Sequence, residues 1–329
     1  MVGKRIIAAP ERQNAGIWPY ESDTQHYETF IIGYTEGGTI MAHSCNPETL
    51  SNFFGKNPTE PHYLTPVCFR PDVLQKYYDE PDKYSVEDGY LRRAGLWGVQ
   101  IDNNAEDFVM VFLGDLGRDL PERERAHWRS YNIPLPDVPI SKTAYQRSFL
   151  GQFAEPTRID IIFRGKYLRF RRAWKEVMGW DLFRDPNPGD EHVLSRTIVP
   201  LTDSMPAFEE QLLNLTKVLV DFLNDKDLKT HISSPTQGMK SIAKLDAWLT
   251  QEGYPNCSTD VALLRILQDL RSKGAAHGKG SDWHQVLQAA FPGRTRPEIV
   301  REILQQAVIM LDGLMTYFLT TPDGPEAQR

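Results

Sequence analysis

Long apolar runs, paired cysteines and nucleotide-binding signatures are all missing from this chain. No stretch of 18 or more apolar residues occurs, whereas a bilayer-spanning helix needs about 20, so no membrane span is expected. The short apolar patch near the start is broken by Pro10 and Glu11, and the long apolar core of a secretory signal is not there. Only three cysteines are present, Cys45, Cys68 and Cys257, odd in number and far apart. That argues against a disulfide framework and against a zinc knuckle, and makes a reducing cytoplasm the expected compartment. His26, His43, His62, His192, His231 and His284 show no HExxH-type spacing, so they are read as structural and no metal is expected. Neither GxxxxGK[ST] nor GxGxxG occurs, which disfavours a P-loop ATPase and a dinucleotide enzyme and leaves no cofactor implied. The paired Gly-Ser and Asp-x-Asp pattern of a nucleotidyltransferase is not found either. An excess of basic charge is also lacking: the net charge is −7. Local patches still decide whether a chain meets nucleic acid. Arg164, Lys166, Arg169, Arg171, Arg172 and Lys175 lie close together, as do Arg271, Lys273 and Lys279.

What is present is the composition of an ordinary globular protein, 40% hydrophobic and 25% charged over 329 residues, enough for two domains. Residues 1–25 lack periodicity and read as an N-terminal arm. Residues 26–143 read as an α+β domain. Short apolar runs at 29–34, 63–70, 96–101 and 108–113 are bounded by Gly, Pro, Asn and Asp, as strand ends usually are. Gly37-Gly38 predicts a turn that closes a hairpin onto Thr39-Ile40-Met41. Short helices are expected at 47–54 and 71–78, each with Pro in a first-turn position. Three prolines within 132–143 suggest a linker or an extended strap. Residues 144–204 read as a helical connector, with helices at 145–153 and 167–178 and a short apolar piece at 197–201.

From 205 to 321 the period is that of helices. Leu212, Leu215, Leu219, Phe222 and Leu223 fall on one stripe; Ile242, Leu245, Trp248 and Leu249 mark a second helix. Val261, Leu264, Leu267 and Leu270 mark a third, with Ser258 or Thr259 as its cap. Val286, Leu287 and Ala290 mark a short piece. A long last helix carries Ile299, Ile303, Val308, Leu311, Leu314 and Phe318, with Pro297 in its first turn. Four main helices with short connections predict an all-α bundle, and residues 322–329 form a C-terminal tail.

The chemistry concentrates in residues 267–281, LQDLRSKGAAHGKGS. Arg and His together suffice to cleave RNA without a metal. Arg holds phosphate with a fixed fork of donors, His moves a proton near neutral pH, and the RNA supplies its own 2′-hydroxyl. Arg271 and His277 sit six residues apart, which on a straight helix leaves their side chains about 120° apart. Convergence therefore predicts that His277 sits at or past the helix end, with Gly274 as a break, or that a second copy faces the first.

The run from Arg271 to His277, with Ser272, Lys273, Gly274, Ala275 and Ala276 between them, resembles the Arg-then-His motif of HEPN domains. The position, near the end of the third helix of a predicted four-helix bundle, resembles that family as well. The resemblance covers residues 205–321. It implies a metal-independent endoribonuclease of toxin–antitoxin, abortive-infection or CRISPR-type defence, with RNA as its substrate. It also implies a homodimer that builds one site from two motifs, and control by an antitoxin or another defence-system protein. By that resemblance Arg271 and His277 are catalytic, and Ser272, Lys273 and Lys279 are expected to bind substrate. The family often has Asn, Asp or His where this chain has Ser272. The alternative is a non-catalytic dimerisation or RNA-binding module. In that case Arg271 and Lys273 complement the helix dipole, His277 caps the helix, and Arg271 is held by a carboxylate such as Asp269 or Asp282. Blocks within 62–133 also resemble bacterial proteins without an assigned activity that end in such a helical domain.

Four other constellations have a functional and a structural meaning. Asp115, Arg118 and Asp119 follow a predicted strand, where carboxylates can bind metal or simply cap a turn; Glu87 and Asp88 could join them. His127-Trp128-Arg129 could clamp a base or be a half-buried aromatic with solvated neighbours. The basic residues around Phe170 and Trp174 could track a phosphate backbone or form a solvated helix face.

Overall fold

A computed structural model of the protein describes residues 26–233, 238–276 and 281–319; the predicted arm at 1–25 and tail at 322–329 lie outside the described residues. The N-terminal part is built on small antiparallel sheets. β1 (Thr29–Tyr34) pairs with β2 (Ile40–Ser44), and the Gly37-Gly38 turn closes that hairpin as the sequence predicts. β3 (Pro66–Phe69) is the centre of a second sheet, between β7 (Val109–Phe112) and β8 (Asn132–Ile133). β4 (Tyr84–Glu87), β5 (Tyr90–Arg93) and β6 (Trp97–Gln100) form a meander. The first two strands of that meander are not expected from the sequence. Tyr84 and Val86 face inward while Ser85 and Glu87 face out, but four residues give too short an alternation to stand out.

A 3-10 turn (Pro71–Leu74) leads into α1 (Gln75–Asp79), close to the helix expected at 71–78. The helix expected at 47–54 is instead a run of turns. The Asn46 side-chain oxygen accepts from the Glu48 N–H, and that of Asn52 from the N–H groups of Phe54 and Lys56. Such local side-chain bonds offer the backbone an alternative to the helix. Conversely, the presumed loop at 113–119 is α2 (Leu113–Asp119). Its glycines face tight neighbours: a Cβ on Gly114 would lie 2.3 Å from the Tyr63 ring, and one on Gly117 would lie 1.8 Å from the Cys45 carbonyl oxygen. Close packing, not a turn, explains these two glycines. α3 (Glu122–Arg129) buries Trp128, whose indole donates to the Tyr77 hydroxyl (2.8 Å), which donates in turn to Glu124 (2.7 Å).

The proline-rich strap is pinned at both ends. Asn132 accepts from the Ile31 N–H (2.6 Å) and donates to the Cys68 carbonyl (3.0 Å). Ser141 donates to Asp102 (2.8 Å) and caps α4 (Lys142–Ser148), which ends earlier than the 145–153 helix expected. α5 (Ile159–Met178) starts eight residues before the expected 167. The 144–204 segment is more than a connector, because Phe163, Tyr167, Phe170 and Trp174 of α5 share one core with the helices that follow.

Those helices are α6 (Met205–Thr216), α7 (Asp225–His231), α8 (Ser241–Gln251), α9 (Cys257–Ala276), α10 (Ser281–Ala290) and α11 (Arg296–Leu319). A π-helical turn, Lys217–Asp221, continues α6. α9 packs against α6, α8, α10 and α11, while α5 lies along α11. α9 begins just ahead of the predicted caps: the Asn256 carbonyl already accepts from the Asp260 N–H. α11 opens with Glu298 accepting from the N–H and hydroxyl of Thr295, a capping-box contact. The strap between α5 and α6 joins the two parts, with Ile198 in the N-terminal core and Val193 and Val199 in the helical one. Among the described residues no helix is long and apolar enough to cross a membrane.

Trp174 sits at the hub of the helical core, edge-on to Trp180, Trp248 and Phe318. Its indole N–H has no hydrogen-bond partner among the described residues. An unmet buried donor costs about 1–3 kcal/mol, which offsets much of the volume lost on shrinking the ring. Trp174→Phe is therefore expected to stay within about 1.5 kcal/mol of wild type in urea unfolding, and a larger loss would show that the indole bond is satisfied.

Candidate functional site

α9 carries Arg271 and Ser272. Leu263, Leu264, Leu267 and Leu270 bury its inner face, and the Trp283 indole of α10 donates to the Leu270 carbonyl (3.2 Å). α9 is continuous to Ala276, so the break expected near Gly274 does not occur. A glycine inside a helix costs about 1 kcal/mol, which tertiary packing of this long element outweighs. His277 and Lys279 lie outside the described residues; Lys273 is described only as part of α9.

Arg271 Nη1 donates to Asp221 Oδ2 at 2.5 Å, with the two side chains 38% and 34% exposed. Among the described residues the partner is thus not Asp269 but a residue 50 positions upstream; the side chain of Asp282 lies outside the described residues. Asp221 ends the π turn, in which the Phe222 N–H donates to the Lys217 carbonyl (2.9 Å), a step of five residues. The widened turn buries Val218, Leu219 and Val220 and leaves Lys217 and Asp221 half-buried at the rim. Turns of this kind often mark functional sites. Arg184 fixes the backbone there by donating to the Asp221 carbonyl (3.2 and 3.0 Å).

These groups border a polar cleft of about 590 Å³ whose lining includes Arg184, Lys217, Asp221, Asp225, Lys240 and Gln268. Its charges are largely paired: Lys217 with Asp190 (2.6 Å), and Lys244 with Asp225 (2.6 Å). Lys240 is exposed and makes no ion pair among the described residues. Ser272 is exposed, and its hydroxyl donates to the Gln268 carbonyl one turn back (2.7 Å). Arg271 is half-exposed, so its ion pair is worth about 0.2–1 kcal/mol at most. Asp221→Asn is accordingly expected to shift unfolding stability by less than about 1 kcal/mol; a loss of several kcal/mol in urea titration would mean the pair is a structural clamp.

The other constellations are engaged in the fold. Asp115 accepts from the Tyr63 hydroxyl (3.0 Å) and pairs with Arg118 (2.8 Å), which also holds Asp119 (2.6 Å). Burial pushes the Asp115 carboxyl up from its usual range, and among the described residues no group of three or more metal-type side chains converges. Asp88 takes two bonds from Arg147 (2.9 and 2.7 Å) at the β4–β5 turn. The His127 ring donates Nε2–H to the Val73 carbonyl (3.0 Å), and burial lowers its pKa. With Trp128 fully buried, the His-Trp-Arg trio offers no stacking platform. On α5, Arg171 pairs with Asp185, Lys175 with Asp181 and Lys166 with Asp312, so half of the six basic residues of that segment are already neutralised.

Nothing in the sequence singles out Asp221, Lys217 or Arg184. The segment KVLVD reads as ordinary amphipathic helix, and a π turn leaves no mark in composition. Comparison with protein-family models, curated proteins and solved structures gives no match for this chain.

Proposed function

We propose that the chain is a metal-independent endoribonuclease of the HEPN type, active in bacterial defence or stress response, with the helical part as its catalytic unit. The observation that carries this is the setting of Arg271: half-exposed on α9 and held, among the described residues, by a surface ion pair to Asp221, which lines a polar cleft. Exchanging a carboxylate worth at most about 1 kcal/mol for an RNA phosphate, which takes two parallel bonds from a guanidinium, is energetically easy. In the reaction the 2′-oxygen bonds to phosphorus and the bond to the 5′-oxygen breaks. Arg271 binds the scissile phosphate, His277 moves the proton, and the product ends in a 2′,3′-cyclic phosphate. Lys273, Lys279 and Ser272 flank the phosphate, and two copies facing each other complete the site.

The test is cleavage of a mixed RNA pool in EDTA by wild type and by Arg271→Ala with His277→Ala. Cyclic-phosphate products from wild type alone support the proposal; equal behaviour of the two proteins overturns it. The alternative is a non-catalytic RNA-binding or dimerisation module, and the Arg271–Asp221 pair is the observation that favours it. Stable RNA binding without cleavage, unchanged by Arg271→Ala, is its expected signature.

A further inference from the structure

A second cleft, of about 470 Å³, lies between the β4–β5 turn, residues 153–156, one face of α5 and Leu194–Ser195. The volume is in the range of small-molecule sites, and the place, where the N-terminal part meets the helical part, is a common one for them. Ile161, Ile162, Leu168 and Leu194 contribute apolar wall, and Phe153 stands at the rim. Phe153 is 86% exposed and Leu168 54% exposed, so water covers two large apolar side chains beside a concavity.

Gly165 is the telling residue. It lies near the middle of a 20-residue helix, where glycine weakens the helix relative to alanine. Neither backbone nor packing requires it: a Cβ there would meet only Arg169 Nη1, at 3.5 Å, an ordinary contact. What the missing side chain leaves is room in the cleft, which Gly165 lines together with Arg164 and Arg169. Arg169 folds back over that room. It has no carboxylate partner among the described residues, unlike Arg171, Lys166 and Lys175 on the same helix. Arg164 stands beside it, donating one bond to the Ser195 carbonyl (2.8 Å). Across the cleft, Asp88 is already neutralised by Arg147, and the exposed Glu87 and Glu155 also line that side, so an anion is placed on the α5 wall by Arg169 and Arg164.

We propose that this cleft binds a small ligand with a flat unsaturated ring and one anionic group, the ring against Phe153 and Leu168 and the anion on Arg169. The class includes aryl carboxylates and nucleoside monophosphates, and it is independent of the nuclease proposal. The probe is 1-anilinonaphthalene-8-sulfonate, which carries a flat naphthalene ring and one anion, titrated by fluorescence into the protein. Gly165→Leu fills the cleft and is expected to weaken probe binding at least about tenfold. Arg169→Gln is expected to weaken it severalfold, and Arg169→Lys to restore it in part. Adenosine 5′-monophosphate and 1-naphthoate, as competitors, separate the two sources: displacement by either supports the site and identifies its arm. Probe binding unchanged in both Gly165→Leu and Arg169→Gln overturns the proposal, as does displacement by neither competitor. Should Gly165→Leu fail to fold, the surface variant Leu168→Gln takes its place with the same expected loss.

Discussion

Arg271→Ala is expected to lower RNA cleavage in EDTA by at least about 100-fold, the usual loss when one preorganised donor to a developing charge is removed. Arg271→Lys should fall between, because it keeps the charge but loses the two-pronged fork. His277→Ala should cost about 100- to 10,000-fold, the range for a positioned acid or base. The double variant should be no worse than the poorer single one, since residues acting as one unit are not additive. Unfolding curves separate chemistry from folding: Arg271 sits in a half-exposed ion pair, so its removal should leave stability nearly unchanged. Full activity in Arg271→Ala would end the catalytic assignment, whatever else the helical part does.

Asp160→Asn is expected to destabilise the protein by about 3–5 kcal/mol, the cost of leaving one member of a buried ion pair uncompensated. Asp160 is fully buried at the start of α5, 2.6 Å from Arg158, and also accepts from the Val199 N–H (3.3 Å). It thereby ties α5 to the strap that links the two parts of the molecule. Burial pushes its carboxyl up, but Arg158 and Arg164 outweigh that and hold it below its ordinary value of 3.8. A carboxyl depressed in the folded state contributes stability that is fully present above the unfolded value and is lost as pH falls through the lower, folded one. The gap between wild type and Asp160→Asn should thus be constant from neutral pH down to about pH 5 and narrow only in stronger acid. Urea midpoints across that range read it directly; equal midpoints at neutral pH would refute the tie. Replacing both partners by apolar residues, Arg158→Met with Asp160→Leu, should recover part of the loss, because the two apolar groups need no partner while the Val199 N–H loses its acceptor.

Features that depend on neighbours along the chain are legible in the sequence. Thr29–Tyr34 and Val109–Phe112 are apolar runs between turn residues, and they are strands. The stripe from Val261 to Leu270 is a helix with those residues inward, and Arg271, next along it, is half-exposed. Both patterns survive because periods of two and 3.6 are set by backbone geometry and by one buried face. Tertiary structure alone decided the rest. Gly114 and Gly117 look like turn residues until Tyr63 and the Cys45 carbonyl press against them. α5 reads as part of a connector until its aromatic face meets α11. The candidate site divides the same way. Arg271 and Ser272 stand in a recognisable local motif, whereas Asp221, 50 residues away, meets Arg271 from the end of a π turn that packs against α9. Local pattern fixes which face a residue occupies; which residue waits on the opposite face is set by packing between segments distant in the chain, and no period encodes that.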